Sequence, residues 1–206
     1  MTPQAVVFDI GNVLIEWQPE RYFDGIIGED RRCAMFADVG LHAMNDRVDR
    51  GENFTEVITE TAKANPKWQS EIWHWHDNWL DLASPVIAHS VRLMAALQAK
   101  NTPVFSLTNF GVETYVLAET KYPFLRQFDR DFISGHMQAI KPDPQIYALL
   151  EDATGLSGEA LLFTDDRADN IEAAAKRDWQ THLFEGPQGW ADTLVAAGLL
   201  SPEEAQ

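Results

Sequence analysis

Three short apolar runs, each broken off by a polar residue, constrain this chain most. Ala5 to Phe8 stops at Asp9, Pro103 to Leu107 at Thr108, and Leu161 to Thr164 at the pair Asp165-Asp166. A short apolar run without alternation suits a strand that meets water on neither face. From about residue 84 onward such runs alternate with helical patterns, and that alternation predicts an α/β fold: a doubly wound parallel sheet with helices on both faces. Ligands in such sheets bind beyond the carboxyl ends of the strands. Asp9, Thr108 and Asp165-Asp166 are therefore expected to converge on one edge.

The remaining punctuation is read in the same way. Ser84-Pro85 predicts a helix start, with Val86, Ile87, Val91, Met94 and Leu97 at helical spacing behind it. Gly111 to Thr120 and Ile171 to Lys176 read as helices, and Asp143-Pro144 launches another through Leu150. Asp131 to Ser134 and Thr181 to Phe184 read as further strands. Pro19 to Leu82 differs: aromatic and charged residues recur at helical spacing, which predicts three or four helices, one capped by Asn53 or Thr55 and one opened by Pro66.

The 206 residues fit one domain, or one domain carrying an insertion. Cys33 is the only cysteine, which excludes an internal disulfide and a cysteine zinc site and suits a reducing, cytoplasmic setting. The first residues lack a basic start and are interrupted by Asp9, so they make a poor signal peptide. No stretch reaches the roughly 18 apolar residues of a membrane span. The formal net charge of -16 argues against nucleic-acid and anionic-membrane partners. It also repels an anionic substrate, so a phosphate site here needs local cations.

Each polar cluster has a plain reading beside the chemical one. Asp9 before the Gly11-Asn12 turn is a fixed carboxylate able to attack phosphorus or carbon, or an ordinary turn residue. Asp165-Asp166, with Asn170 following, is an oxygen donor set for magnesium, or a solvated helix cap. Lys141, in the run AIKPDP, is an ammonium on a stiff loop that balances phosphate charge, or a surface lysine. Thr108-Asn109 offers donors to a phosphoryl group, or caps a helix.

Their order decides between these readings. The segments VVFDIGNVL, VFSLTN, IKPDP and LLFTDDRADNIEAA resemble, in order and spacing, the motifs of the haloacid dehalogenase-like (HAD) hydrolase superfamily. The resemblance implies a Rossmann-like core over residues 1–15 and 84–206, with a small helical cap over residues 16–83. It implies that Asp9 is a nucleophile forming an aspartyl-phosphate. Asp9, Asp166 and the backbone carbonyl of Gly11 would hold Mg2+, supported by Asp165 and Asn170. Thr108 and Asn109 would bind the phosphoryl group and Lys141 would balance its charge. The implied activity is magnesium-dependent hydrolysis of small phosphate monoesters, with a small phosphorylated metabolite as partner.

One departure matters. Phosphatases of the superfamily usually carry a second Asp, an acid-base group, two residues after the nucleophile; here that position is Gly11. Proton transfer of this kind is worth about 10²–10⁴-fold. Asn12 cannot titrate, and Glu16 is near in sequence but its reach is not fixed by the sequence. The dehalogenase branch also lacks that Asp but works without metal, and the retained Asp165 and Asp166 argue against it. The alternatives are therefore a 2-haloacid dehalogenase-type hydrolase and a non-catalytic relative that binds a phosphorylated ligand or a protein. The GNVL turn with the paired acids most resembles glucose-1-phosphate phosphatase-like proteins and the N-terminal domain of soluble epoxide hydrolase.

Trp68, Trp73, Trp75 and Trp79 are expected to pack the helical segment, or to line the pocket. His74 and His76 lie on different helix faces and do not share a metal. Asn12, Trp17 and Arg21, next to the first motif, are further candidates for substrate contact, Arg21 through a second anionic group.

Overall fold

A computed structural model describes residues 1–206. The elements in chain order are β1 (Ala5–Phe8), β2 (Ile15–Trp17), α1 (Pro19–Ile27), α2 (Glu29–Val39), α3 (Leu41–Asp49), α4 (Phe54–Ala64), α5 (Gln69–Asp77), α6 (Trp79–Leu82), β3 (Ala83–Val86), α7 (Ala88–Ala99), β4 (Val104–Thr108), α8 (Val112–Lys121), β5 (Arg130–Ile133), α9 (Ser134–Met137), α10 (Pro144–Thr154), β6 (Leu161–Asp165), α11 (Ala168–Ala175), β7 (Gln180–Leu183) and α12 (Pro187–Ala196).

Five strands form one parallel sheet in the order β5-β4-β1-β6-β7, which is the doubly wound α/β architecture expected. β1 is central and buried throughout. Its side chains alternate: Val6 and Phe8 join the core on one face, where Phe8 meets Trp190 of α12 edge-on at 5.5 Å. Ala5 and Val7 join the other face with Ile146, Tyr147 and Leu150 of α10 and Ala174 of α11. Both faces of β1 being dry explains the absence of polar alternation in the run.

The segment between β1 and β4 departs from expectation in two ways. Six α-helices, with a 3-10 turn at Pro66–Trp68, stand where three or four were expected, because Gly28 and Gly40, both at positive φ, break the helical run into short pieces. Asn53 does cap α4, its side-chain oxygen accepting the Glu56 N–H at 3.0 Å. Ser84-Pro85 starts no helix. It lies in β3, antiparallel to β2, and α7 begins only at Ala88. Pairing with the outgoing strand overrides the local cap signal: Gln18 N–H bonds the Leu82 carbonyl at 3.0 Å and Ile87 N–H the Leu14 carbonyl at 2.8 Å. The two strands form a neck through which the chain leaves the core after β1 and returns to it.

Tryptophan packs the helical segment. Trp75 is fully buried, stacked on Phe23 at 6.1 Å and edge-on to Trp17 at 5.7 Å. Trp68 is buried with its indole N–H donating to Asp38 at 2.9 Å. No helix is long and apolar enough to cross a membrane.

Candidate active site

The three innermost strands end together. Asp9 follows β1, Thr108 closes β4 and Asp165 closes β6, and the Asp9 N–H donates to the Thr164 carbonyl at 3.0 Å. Lys141, on the loop before α10, reaches into this edge. Its Nζ lies 2.8 Å from Asp9 Oδ1 and 2.6 Å from Asp165 Oδ2, and its side chain is 1% exposed.

The surroundings divide the acids by role. Asp165 is saturated: besides Lys141 it accepts from Asn170 Nδ2 at 3.0 Å and from the Arg167 N–H at 2.8 Å. Asn170 is set in turn by the Tyr147 hydroxyl, which donates to its carbonyl at 2.9 Å. Asp166 accepts one bond, from Asn12 Nδ2 at 2.9 Å. Asp9 has only the ammonium. One oxygen from each of Asp9, Asp165 and Asp166 lies within 4.8 Å of the others. Three carboxylates around one ammonium leave excess negative charge, and an oxygen-only donor set suits a hard divalent cation. Burial pushes the Asp9 carboxyl up to about 7, with Asp165 and Asp166 adding to the rise and Lys141 opposing it. Burial also raises Asp166. Burial alone would discharge Lys141, but Asp165 and Asp9 outweigh it and hold the ammonium above its ordinary range.

The turn after β1 is tightly bonded. The Ile10 carbonyl accepts from Leu14 at 2.9 Å and Ile15 at 3.1 Å, and the Asn12 N–H donates to the Ile15 carbonyl at 2.7 Å. The Gly11 carbonyl accepts no backbone bond there. Asn12 sits at φ 54, its side chain accepting the Trp17 N–H at 2.9 Å.

Asn12 thus braces Asp166 and the neck. Asn109 serves Lys141, with Nδ2 donating to its carbonyl at 2.9 Å and Oδ1 accepting its N–H at 2.8 Å. Thr108 is buried at the same edge. Trp17 lies in the neck, and Arg21, on α1, bonds to both of its strands. Trp17 packs on Trp75 and Trp79, while Arg21 bonds Glu16 at 2.7 Å and the Ser84 carbonyl at 2.8 Å. That pair also occupies Glu16.

Sequence reading missed Asp49, at the end of α3. It is half-buried, and burial pushes its carboxyl up to about 7, with Asp46 and Asp9 adding to the rise. No motif surrounds it; only the docking of α3 on the sheet edge brings it to the site.

A parallel sheet with a buried carboxylate, a buried lysine and paired acids at its carboxyl edge is the arrangement of a HAD-like hydrolase. The chain belongs to that family: the haloacid dehalogenase-like hydrolase model matches residues 3–178. Among characterised proteins it is similar to the enolase-phosphatase E1 of Persephonella marina, 28% identical over 135 residues, covering 64% of this chain and 59% of that protein. The chain thus matches less than two thirds of that relative's length. Among solved structures, a HAD family enzyme of Bacteroides thetaiotaomicron superposes with TM-score 0.74 at 18% identity, over 94% of this chain and 99% of that one. The same enzyme in complex with magnesium and inorganic phosphate gives 0.69 at 16%, over 89% and 95%. An L-2-haloacid dehalogenase from Xanthobacter autotrophicus gives 0.59 at 18%, over 98% and 86%. At these identities the likeness concerns the fold.

Proposed function

We propose that the protein is a magnesium-dependent phosphatase of small phosphate monoesters that works through an aspartyl-phosphate on Asp9. The observation that carries this reading is the cluster of Asp9, Asp165 and Asp166 around Lys141. A haloacid reaction needs one carboxylate; a second, incompletely bonded acid at Asp166 beside the first is what a cation-assisted reaction on an anion needs. The magnesium–phosphate complex of the Bacteroides relative and the name of the Persephonella relative support the same direction. The GNVL turn and the paired acids support a subgroup like the glucose-1-phosphate phosphatase-like proteins and the N-terminal domain of soluble epoxide hydrolase.

Asp9, Asp166 and the free carbonyl of Gly11 would hold Mg2+, while Asp165 and Asn170 keep this edge in place. Magnesium, when bound, neutralises charge on the phosphoryl oxygens. Asp9 then attacks phosphorus with the oxygen not engaged by Lys141. The ammonium, fixed by Asp165, balances the phosphoryl charge, and Thr108 donates its hydroxyl to a phosphoryl oxygen. Residues 16–83 act as a cap over this edge. Asn109, Asn12 and Arg21 contribute by holding Lys141, Asp166 and the neck.

The test is phosphate release from a panel of small esters that includes p-nitrophenyl phosphate, with magnesium or EDTA, for wild type and Asp9→Asn. Release that needs magnesium and is lost in the variant supports the reading. No release from any ester, alongside turnover of haloacids in EDTA, overturns it.

A further inference from the structure

Resting on the phosphatase reading, we propose that Asp49 carries the proton: it touches the leaving oxygen of the substrate as acid and the attacking water as base, a task Gly11 lacks the side chain to perform.

The placement of Asp49 follows from close packing. α3 ends against the segments that follow β4 and β5, both at the carboxyl edge of the sheet. A methyl group built on Gly111 would lie 2.4 Å from Val48 Cγ1, and one on Gly51 would lie 2.6 Å from the Gly135 carbonyl oxygen. Only glycine permits these approaches, and together they wedge the end of α3 over the edge. The Ser134 hydroxyl fastens it, donating to the Asp49 carbonyl at 2.6 Å while accepting the Phe110 N–H at 2.8 Å. Arg50 reaches Asp143, on the Lys141 loop, at 3.7 Å. The end of α3 is thus tied to the segment that follows Thr108 and to the loop that carries Lys141.

Its own contacts suit a proton carrier. The carboxyl accepts from Asn45 Nδ2 at 3.0 Å and is approached by the Gly111 N–H. The charged groups it faces are Asp46 on its own helix and Asp9 across the site; no ammonium or guanidinium pairs with it. The charge of Asp9 adds to the rise at Asp49, while Asp9 itself is raised by burial, opposed by Lys141 and raised further by Asp165 and Asp166. Burial and these acids keep the proton on Asp49 near neutral pH.

The steps balance. An Asp9 oxygen bonds to phosphorus as the ester P–O bond breaks, and the Asp49 proton moves to the departing oxygen, giving the alcohol. Water then attacks phosphorus, one of its protons passing to Asp49 as the Asp9–phosphorus bond breaks. Inorganic phosphate leaves, and both carboxyls return to their starting states.

The experiment uses the full chain with magnesium and p-nitrophenyl phosphate, whose leaving group departs without a proton, in rapid-quench and steady-state modes. In Asp49→Asn the first-turnover burst of nitrophenolate is expected within threefold of wild type. Steady-state release is expected to fall about 100-fold or more, with a phosphoryl group accumulating on the protein by mass spectrometry. Thermal melting establishes that the variant is folded; if it is not, Asp49→Ser removes the same carrier and is read identically. Steady-state rates within threefold of wild type, or burst and steady state lost together, overturn the role of Asp49 and leave the phosphatase reading intact. A wild-type protein that releases phosphate from no ester of the panel and turns over haloacids in EDTA overturns both.

Discussion

Asn109 grips Lys141 by its backbone on both sides, taking the N–H and giving to the carbonyl, so the lysine's aim is set before its side chain begins. Asn109→Ala removes two bonds worth about 1 kcal/mol each. Chemical denaturation should register a loss of about 1–3 kcal/mol, and phosphate release should fall through kcat more than KM. Unchanged kcat would remove Asn109 from the positioning of Lys141.

Lys141 joins two carboxylates that have almost no access to water. Lys141→Met leaves both without a cation, and breaking a buried pair in this way costs about 3–5 kcal/mol. The deficit should show in denaturant titrations in EDTA at pH 8 and shrink as the pH falls and Asp9 takes up a proton. A deficit independent of pH would mean that packing, not charge, is what the lysine supplies.

The raised carboxyl of Asp49 has a thermodynamic signature. It is held at about 7 in the fold against an ordinary 3.8, so the native chain binds this proton more tightly than the unfolded one. The stabilisation from that proton is complete below the unfolded value and lost as the pH rises through the folded one. Asp49→Asn keeps the neutral shape at every pH. It should therefore melt above wild type at pH 8, with the difference closing toward pH 4. Melting below wild type at pH 8 would contradict the raised value.

Gly11 has room for what it lacks. A Cβ there meets nothing within 4 Å, and its φ lies outside the left-handed region. Gly11→Asp should fold normally, accelerate turnover of alkyl phosphates, and restore at least part of the steady-state rate lost in Asp49→Asn. Failure to restore any of it in a folded double variant would mean that a carboxyl on this turn does not reach the leaving oxygen.

Legibility followed the distance over which each signal acts. The β1, β4 and β6 runs, and the arrival of Asp9, Thr108 and Asp165 at one edge, were readable because burial on both faces dictates composition residue by residue. Lys141 and Asp165 could be named from ordered motifs. Asn109, Asn12 and Arg21 are legible as candidates for phosphoryl or substrate contact, but their bonds to Lys141, Asp166 and the Ser84 carbonyl are not, since the partners of a polar side chain depend on which loops meet. Ser84-Pro85 misled because a local cap signal carries no information about a strand sixty-odd residues upstream, at Ile15–Trp17. Asp49 had no signal, because its position is set by packing around Gly51 and Gly111 rather than by its neighbours in the chain.

The place of β1 in the strand order also governs how the molecule comes apart. β5 and β7 are the outer strands, and either can fray while β4, β1 and β6 remain paired. The amides of Val6, Val7 and Phe8 should then exchange with deuterium only through global unfolding, after those of Arg130 to Ile133 and Gln180 to Leu183. The chemistry stands on the last part of the sheet to open, so thermal stress should thin the population of active molecules without first degrading the site within each one.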